Sequence, residues 1–400
     1  MKNFTDKKLA IYVHYPFCKS KCPYCDFNSH VVDNVDSIRF INAYEKELEF
    51  FARNIEPQKI SSIFFGGGTP SLMPVEMVQR ILSKINSLWQ VDKNCEITLE
   101  ANPTSFEAKK FEDFKKAGIN RLSLGIQALN DDDLKFLGRN HSANEAIKTI
   151  RQVQRIFDNF SFDLIYTRPN QKIDNWLREL EQAINFNGRH LSLYQLTIEK
   201  GTPFFKDFKE RKFDLPNEEL AAEFYQKTND FMAKNGYINY EISNYAKPAF
   251  ESKHNLSYWQ GNDYVGIGAG AHSRVYFKDQ KKRQALMMIH NPQNWLQKVE
   301  ECGIGLQQKT SLDKNEVLEE LILTSLRTES GLNNKILAKH NLGEISQIFH
   351  EEKLRKLANQ GLINFDYDAI KIATNYKILA NSIIAKITQA NQRPLQINEF

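Results

Sequence analysis

Apolar residues in the first half of the chain follow two alternating spacings. Short continuous apolar runs, typical of buried strands, separate longer segments in which apolar residues recur every three or four positions, as on one face of a helix. The predicted strands span residues 9–13, 62–65, 96–99, 121–124, 161–166 and 190–196. The predicted helices begin at residues 37, 75 and 105 and fill 144–157 and 174–184. Successive strand–helix units predict an α/β fold with a parallel sheet, either doubly wound or a complete or partial barrel.

The second half of the chain is patterned differently. Residues 235–295 are rich in Gly, Asn, Tyr and His and give no clear assignment. Helical spacing then recurs and is followed by a hairpin pattern, over residues 313–327, 333–340, 344–360 and 361–372. This arrangement resembles a small winged-helix unit. We therefore predict a core, an irregular segment that packs on the core, and a C-terminal winged-helix-like α+β domain, over residues 1–240, 241–300 and 301–400.

Composition and charge narrow the class of protein. Hydrophobic residues are 41% and charged residues 26% of the chain, which is a globular composition, and a net charge of +4 is too weak to indicate a nucleic-acid partner. The longest stretch without Asp, Glu, Lys or Arg covers residues 60–75, which is shorter than the ~20 residues that a spanning helix needs. The N-terminus has no apolar core followed by a cleavage site. We expect a cytoplasmic protein without a transmembrane segment, for which peripheral membrane contact stays open.

The five cysteines are the first specific indication of chemistry. Their odd number argues against a closed disulfide framework, and Cys18, Cys22 and Cys25 lie close together after the first predicted strand. Thiolates at this spacing suit zinc or an iron–sulfur cluster. A structural zinc needs four ligands, and the nearest candidates, His14 and His30, lie at unusual distances along the chain. Three thiolates leave one coordination position open, which favours an iron–sulfur cluster while zinc stays an alternative.

The spacing CxxxCxxC directly after a first strand is the signature of the radical S-adenosylmethionine (SAM) superfamily. The whole run over residues 11–29 resembles the oxygen-independent coproporphyrinogen oxidase family, and within it the heme-chaperone branch of HemW-type proteins. The resemblance implies a partial (β/α)6 radical SAM barrel and a [4Fe–4S] cluster held by Cys18, Cys22 and Cys25, whose fourth iron is chelated by SAM. It also implies an electron donor, because one electron passed to SAM cleaves it into methionine and a 5′-deoxyadenosyl radical.

Glycines and polar residues follow the predicted strands at the ends where parallel α/β folds build their sites. These positions are the glycines 66–68, Glu100, Gln127 and Asp163. Three successive glycines indicate a backbone that a ligand approaches closely, although a tight turn would also explain a glycine here. The strand order thus predicts, independently of the resemblance, that these residues gather on one face of the sheet.

By resemblance, this face binds SAM. Arg139 matches a family position twelve residues after Gln127, although without the family it would be a surface charge. Tyr12 would otherwise be a core strand residue, and Tyr24 could cover the cluster or stack on adenine. The residues that the resemblance assigns to SAM are Tyr12, Tyr24, Gly67, Gly68, Thr69, Glu100, Gln127, Arg139 and Asp163.

One departure from the family leaves the path of a loop open: residues 167–171 read Thr-Arg-Pro-Asn-Gln where the family reads Gly-Leu-Pro-Gly-Gln.

Two features separate the branches of the family. The catalytic oxidases carry a fourth cysteine where this chain has Phe27, and they have a longer arm before the first strand. The run 254–259, His-Asn-Leu-Ser-Tyr-Trp, matches the HNxxYW pattern of the chaperone branch, and an imidazole is a common axial ligand of heme iron. Without the family, His254 would be a buried histidine satisfied by its neighbours. His272 and His290 are further candidate ligands.

The resemblance therefore implies a heme chaperone without coproporphyrinogen oxidase activity. Its cofactors would be the [4Fe–4S] cluster, SAM and heme, with heme bound through His254 and passed to an acceptor protein. Two other classes stay open: a radical enzyme that decarboxylates coproporphyrinogen or an unrelated substrate, and a zinc-stabilised interaction protein.

Overall fold

The structure is a computed structural model that describes residues 5–278, 280 and 282–389. Its strands are β1 (Thr5–Tyr15), β2 (Phe17–Cys18), β3 (His30–Val31), β4 (Gln58–Gly67), β5 (Gln90–Ala101), β6 (Arg121–Gln127), β7 (Asn159–Tyr166), β8 (His190–Gln195), β9 (Ile238–Asn239), β10 (Asn244–Ala246), β11 (Asp263–Ile267), β12 (His272–Tyr276), β13 (Arg283–Met288), β14 (Leu306–Leu312), β15 (Leu332–Asn333), β16 (Ile363–Phe365) and β17 (Ala369–Ile372).

The helices complete the description of the secondary structure. They are α1 (Ser37–Asn54), α2 (Val75–Leu88), α3 (Ser105–Ala108), α4 (Phe111–Ala117), α5 (Asp131–Phe136), α6 (Ala143–Ile156), α7 (Ile173–Ile184), α8 (Pro203–Lys209), α9 (Glu218–Lys234), α10 (Lys253–Trp259), α11 (Pro292–Cys302), α12 (Lys314–Ser325), α13 (Asn334–Lys339), α14 (Ile345–Ile348), α15 (Glu351–Asn359) and α16 (Ala380–Thr388). Short 3₁₀ helices span Pro70–Leu72 and Thr374–Leu379. Among the helices of the described residues, none combines the length and apolar character that crossing a bilayer requires.

Parallel strands form the centre of the largest sheet, in the order β1-β4-β5-β6-β7-β8. The order follows the chain without reversal, whereas a doubly wound sheet changes direction at a switch point. Helices α1, α2, α4, α6 and α7 lie in the connections between these strands. The two outer strands of this group pair with further strands and not with each other, so the barrel is partial. The predicted partial (β/α)6 barrel is confirmed, and the doubly wound alternative is excluded.

Helix α1 anchors the barrel to the strands that flank it. Its buried face consists of Phe40, Ile41, Ala43, Tyr44, Glu47, Leu48 and Phe51. Glu47 is the polar exception, and burial raises the pKa of its carboxyl to about 7. The carboxyl accepts the backbone N–H of Gly268 at 2.8 Å, the N–H of Gly305 at 2.9 Å and the indole N–H of Trp295 at 3.0 Å. These bonds satisfy a buried acid that would otherwise be costly.

Part of the segment 235–295, which the pattern left without assignment, extends the same sheet. Strand β11 pairs with β1 in parallel, and β12, β13 and β14 continue from it as antiparallel strands. At the opposite edge, β10 and β9 add antiparallel pairs to β8. Glycines interrupt the apolar pattern here because the strands approach closely: a Cβ at Gly266 would lie 2.1 Å from the carbonyl oxygen of His272.

The C-terminal residues build a second core. Helices α12, α13, α15 and α16 surround a small sheet in the order β15-β17-β16, in which β16 and β17 form the predicted hairpin. Apolar side chains such as Leu321, Leu337 and Ile370 are buried there. The core also touches Ile242 and Ala285 of the preceding part of the chain. The predicted helices and hairpin are present, while the likeness to a winged-helix unit stays a prediction.

Candidate functional site

A cavity of about 400 Å³ lies at the carboxyl ends of the parallel strands. Nearly all of the residues that the sequence singled out lie in its wall, namely Cys18, Cys22, Tyr24, Cys25, Gly67, Gly68, Thr69, Glu100, Gln127, Arg139 and Asp163. Tyr12 and His254 are not among the lining residues. The gathering follows from topology, because each parallel strand delivers its final residues to the same edge.

The cysteine loop is fixed to the glycine run by backbone hydrogen bonds. The N–H of Gly68 donates to the carbonyl of Tyr15 at 2.7 Å, and the N–H of Thr69 donates to the carbonyl of Phe17 at 2.8 Å. At the far end of the loop, β3 pairs with β2, so that Cys18 is held opposite Val31. Burial raises the pKa of the Cys18 thiol, and burial also raises that of Cys25. The three thiols thus lie on one short loop whose ends are pinned.

The glycine run packs against protein as well as lining the cavity. A Cβ at Gly66 would lie 2.8 Å from Cε2 of Tyr12, and one at Gly68 would lie 2.5 Å from the carbonyl oxygen of Phe17. Gly67 has a left-handed φ of +115°, which side chains rarely adopt. The run is therefore required by the close approach of β4 to β1 and to the cysteine loop, a reason that the sequence interpretation did not include.

Arg139 joins three parts of the site. Its Nη1 atom lies 3.2 Å from the sulfur of Cys22 and 3.4 Å from the hydroxyl of Tyr24. Its Nη2 atom donates to Oδ1 of Asn102 at 2.6 Å and to the carbonyl of Gly125 at 2.9 Å. The Nε atom is buried and has no hydrogen-bond partner among the described residues. Arg139 is thus not the surface charge that its sequence position alone would suggest.

Two carboxyls and an amide face the cavity from neighbouring strands. Burial raises the pKa of Glu100 to about 8, helped by the negative charge of Asp163, and burial raises the pKa of Asp163 to about 6. Glu100 accepts the N–H of Gly67 at 3.2 Å. Gln127, at the end of β6, has a φ of 72°. The wall therefore offers acceptors that could hold cationic or hydroxyl groups, together with the donors of Arg139.

Two lining residues escaped the sequence analysis. Asn102 accepts from Arg139 and donates to Oγ1 of Thr69 at 3.3 Å. Glu107 is buried and accepts the N–H of Asn102 at 2.9 Å, which orients the turn after β5. Asn102 stands two positions after Glu100, so its place at the end of the third predicted strand was the signal that could have found it.

Tyr12 and His254 lie next to each other, with their ring centroids 6.2 Å apart. The hydroxyl of Tyr12 is 3.1 Å from Nδ1 of His14, and its ring lies beside Gly66. The ring of His254 stacks on Phe64 with centroids 4.9 Å apart. Neither side chain is among the lining residues of the cavity, but burial and the charge of the nearby Glu100 raise the pKa of Tyr12, so that Tyr12 lies close to one of the other predicted SAM residues.

Both ring nitrogens of His254 have hydrogen-bond partners. Nδ1 is 3.1 Å from Oγ of Ser62, and Nε2 is 2.9 Å from the hydroxyl of Tyr258. The side chain is only 2% exposed, and burial lowers its pKa to about 3. The backbone N–H also donates to Glu96 at 3.2 Å. His254 offers no free nitrogen to heme iron in this arrangement, and the geometry corresponds to the alternative of a buried histidine satisfied by its neighbours.

Comparisons with known proteins identify a radical SAM domain in the part of the chain that forms the cavity. The family model of the radical SAM superfamily matches residues 12–183. The chain is 33% identical to "Radical S-adenosyl methionine domain-containing protein 1, mitochondrial" of Bos taurus over 98% of this chain and 89% of that relative. It is 31% identical to "Heme chaperone HemW" of Bacillus subtilis over 94% of this chain and 97% of that relative.

A solved structure has the same fold. The structure described as coproporphyrinogen III oxidase (HemN) from Escherichia coli superposes with a TM-score of 0.77 at 22% sequence identity, and it covers 96% of this chain and 90% of that chain. At this identity the likeness concerns the fold alone. It includes the C-terminal unit as well as the barrel, because almost the whole chain is covered.

Proposed function

Because the chain belongs to the HemW-type family of radical SAM proteins, we propose that it is a heme chaperone, which binds heme and transfers it to an acceptor protein. One observation carries the proposal: the similarity to a heme chaperone runs through 94% of the chain, so that it includes the barrel, the flanking strands and the C-terminal unit. The heme-related function of the family is common to both branches, and transfer is the step that this proposal adds.

The cysteines Cys18, Cys22 and Cys25 would hold the [4Fe–4S] cluster. Support comes from their common place in the cavity wall. Within the described residues, no three His, Cys, Asp or Glu side chains converge as they would around one metal ion. Thiolates of a four-iron cluster bind separate iron atoms and need not meet at one point, so this spacing suits a cluster better than the zinc alternative.

SAM would lie between the acceptors Glu100, Gln127 and Asp163 and the donors of Arg139. With the cluster it supplies one-electron chemistry when bound. The donor set fits such a ligand, because the buried Nε of Arg139 lacks a partner among the described residues and the paired carboxyls favour positive charge. The chain's own part is to orient this ligand and to keep water away, with Tyr24 at the cavity wall.

Phe27 is the residue that favours heme transfer over oxidation of coproporphyrinogen. It replaces the fourth cysteine of the oxidase branch, lines the cavity and is 60% exposed. A ring at this position cannot hold iron or exchange protons, whereas it suits contact with an apolar ligand. We therefore infer that the chain binds heme without oxidising coproporphyrinogen. Heme transfer would also need an acceptor protein, and reduction of the cluster would need an electron donor.

Two assays on one preparation test this function. The full chain, reconstituted without oxygen, is titrated with hemin while the Soret band is followed, and it is then incubated with coproporphyrinogen III, SAM and dithionite. We expect saturable hemin binding and no decarboxylated porphyrin. Multiple turnovers of decarboxylation would assign the protein to the oxidase branch, and an absence of hemin binding would refute the chaperone proposal.

A further inference from the structure

An apolar surface follows the cysteine loop directly. Phe27 is 60% exposed, Val31 56% and Val32 39%. These three residues, which we call the loop patch, are large hydrophobic side chains close together in sequence, and Phe27 also belongs to the cavity wall. Grouped exposed apolar side chains beside a functional cavity are typical of ligand-binding surfaces.

Two exposed imidazoles lie next to the loop patch. His272 is the first residue of β12, and His290 follows β13, the strand that pairs with β12. Neither ring forms a hydrogen bond with any described residue. Both rings lie near His14: burial lowers the pKa of His14 to about 4, and the charges of His272 and His290 add to this lowering. Unlike His14 and His254, they can therefore offer a free nitrogen to a ligand.

Asn28 makes the patch and the imidazoles one rigid surface. Its Nδ2 atom donates to the carbonyl of Ala269 at 2.9 Å and to the carbonyl of His290 at 3.0 Å. Its Oδ1 atom lies 3.1 Å from Nε2 of His30, the residue before Val31. One side chain thus ties the cysteine loop to the β11–β12 turn and to His290, two residues before α11.

A positive charge completes the surface. Lys21 is exposed, and its Nζ donates to the carbonyl of Phe27 at 3.1 Å. Its charge also contributes to the pKa of His30, which burial lowers. The surface therefore combines apolar area, free imidazole and an ammonium group. A metalloporphyrin with carboxylate side groups has the complementary chemistry: an apolar face, an iron that binds imidazole, and negatively charged propionates.

We propose that heme binds on this surface, with the porphyrin against Phe27 and Val31, an iron ligand from the pair His272 and His290, and a propionate near Lys21. The proposal rests on the proposed heme chaperone function and names its heme site. It places heme beside the cluster cavity instead of at His254, whose nitrogens are both occupied. The exposed position of both imidazoles is also compatible with release to an acceptor, because no part of the described chain must open first.

The test compares hemin binding in four forms of the reconstituted full chain: wild type, the double variant His272→Ala/His290→Ala, Phe27→Ser, and His350→Ala. His350 is a matched control, since it is exposed and lies on the C-terminal unit. The double variant should bind hemin at least about tenfold more weakly and lose the shift of the Soret band that imidazole ligation of ferric heme produces. Phe27→Ser should weaken binding with the ligand signal kept, and His350→Ala should match wild type.

The outcomes separate the site from the function. If wild type binds hemin and the double variant has the same affinity and spectrum, the site is wrong while the chaperone function stands. If the wild type binds no hemin, both the proposed heme site and the proposed chaperone function are refuted. Iron and sulfide content and the thermal unfolding midpoint are measured for every form, because unchanged values show that a loss of heme binding is local.

Discussion

Arg139 shows how much of the site one side chain can organise. Its guanidinium group contacts Cys22 and Tyr24 with one nitrogen and Asn102 and Gly125 with another. A planar group with five donors can serve several acceptors at fixed angles, which the single ammonium of lysine cannot do. The cysteine loop and the ends of β5 and β6 are therefore coupled through Arg139.

Gly68 provides a steric prediction. Gly68→Ala would place a Cβ 2.5 Å from the carbonyl oxygen of Phe17, and the close contacts are all backbone atoms of Phe17, which leave little room to move. We expect SAM affinity in equilibrium dialysis to fall by about tenfold or more, because the cysteine loop and the glycine run must separate. Gly188→Ala is the matched control, since its Cβ would meet only ordinary contacts of 3.5 Å or longer. Equal SAM affinity in both variants would contradict the conclusion that SAM binding depends on the close packing of the glycine run against the cysteine loop.

Glu100 provides a prediction of pH dependence. Its pKa is about 8 in the folded protein because of burial, so the folded chain keeps a proton that the unfolded chain has already lost. The free energy of unfolding of the cofactor-free chain should therefore decrease as the pH rises towards about 8, by at most about 1.4 kcal/mol per pH unit for one proton. Asp163 and Glu47, with pKa values of about 6 and about 7, act in the same direction at lower pH.

The measurement for Glu100 is urea unfolding at several pH values between about 7 and 9. Glu100→Gln removes the titrating proton and should flatten the dependence, whereas Glu76→Gln at an exposed carboxyl should keep the wild-type slope. A wild-type slope in Glu100→Gln would show that this carboxyl ionises normally in the folded protein.

Sequence reasoning at the residue scale is strong where topology decides and weak where side-chain packing decides. Glu100, Gln127 and Asp163 meet because their strands are parallel. His254 could not be placed in this way, because a motif does not reveal whether Ser62 and Tyr258 will occupy its two nitrogens. Tyr258 lies one turn further along the same helix, whereas Ser62 comes from β4, a distant part of the chain.

At the scale of elements, the loop after β7 adopts left-handed backbone conformations without the expected glycines. Thr167 and Asn170, which stand where the family has glycines, have left-handed φ values of 57° and 58°. Thr167 is held by its hydroxyl, which donates to the carbonyl of Tyr166 at 2.6 Å and accepts the N–H of Leu196 at 3.1 Å. Local strain at Thr167 is thus offset by hydrogen bonds that a glycine could not form.

Arg168 in the same loop provides a stability prediction. It is buried, lies 3.1 Å from a carboxylate oxygen of Asp133 and also pairs with the buried Glu179. Arg168→Ala should reduce the free energy of unfolding by about 3–5 kcal/mol, since it leaves a buried carboxylate without its partner. Arg355→Ala is the control, because its ion pair with Glu351 is exposed and should contribute little to stability. Equal losses in urea unfolding would contradict this assignment.

Periodicity predicted the six parallel strands and most of their helices because each buries one regular face. It did not predict the break between α3 and α4, nor the strands β11 to β13. At the break, Glu107 turns inward to accept the N–H of Asn102, a contact that spacing does not encode. In β11, Gly266 replaces the side chain that would have marked an alternating strand.

At the scale of the whole molecule, the C-terminal unit is joined to the barrel through the run 254–259. The hydroxyl of Ser325 donates to the carbonyl of Trp259 at 3.1 Å, and Arg274 Nε lies 2.7 Å from a carboxylate oxygen of Glu320. The predicted heme-binding run thus forms helix α10, which lies between the barrel and α12. Its place in the fold accounts for the burial of its histidine.

Gly261 tests this junction. It has a φ of +64°, and a Cβ there would lie 2.1 Å from Cδ2 of Leu321 in α12. Gly261→Ala should lower the free energy of unfolding by roughly 1–3 kcal/mol more than Gly236→Ala does. Gly236 is a matched control with a φ of +78° and open space around its Cβ position. Equal losses would mean that the two cores do not depend on this contact.

The cluster and its binding of SAM are tested most directly by the electron paramagnetic resonance spectrum of the reduced, reconstituted chain before and after SAM is added. We predict a [4Fe–4S] signal that changes with SAM, because Cys18, Cys22 and Cys25 leave one iron open to it. The triple variant with alanine at these positions should show neither the signal nor bound sulfide. A cluster that forms in the triple variant would contradict the assignment of the three cysteines, and a wild-type signal that SAM leaves unchanged would contradict the binding of SAM to the open iron.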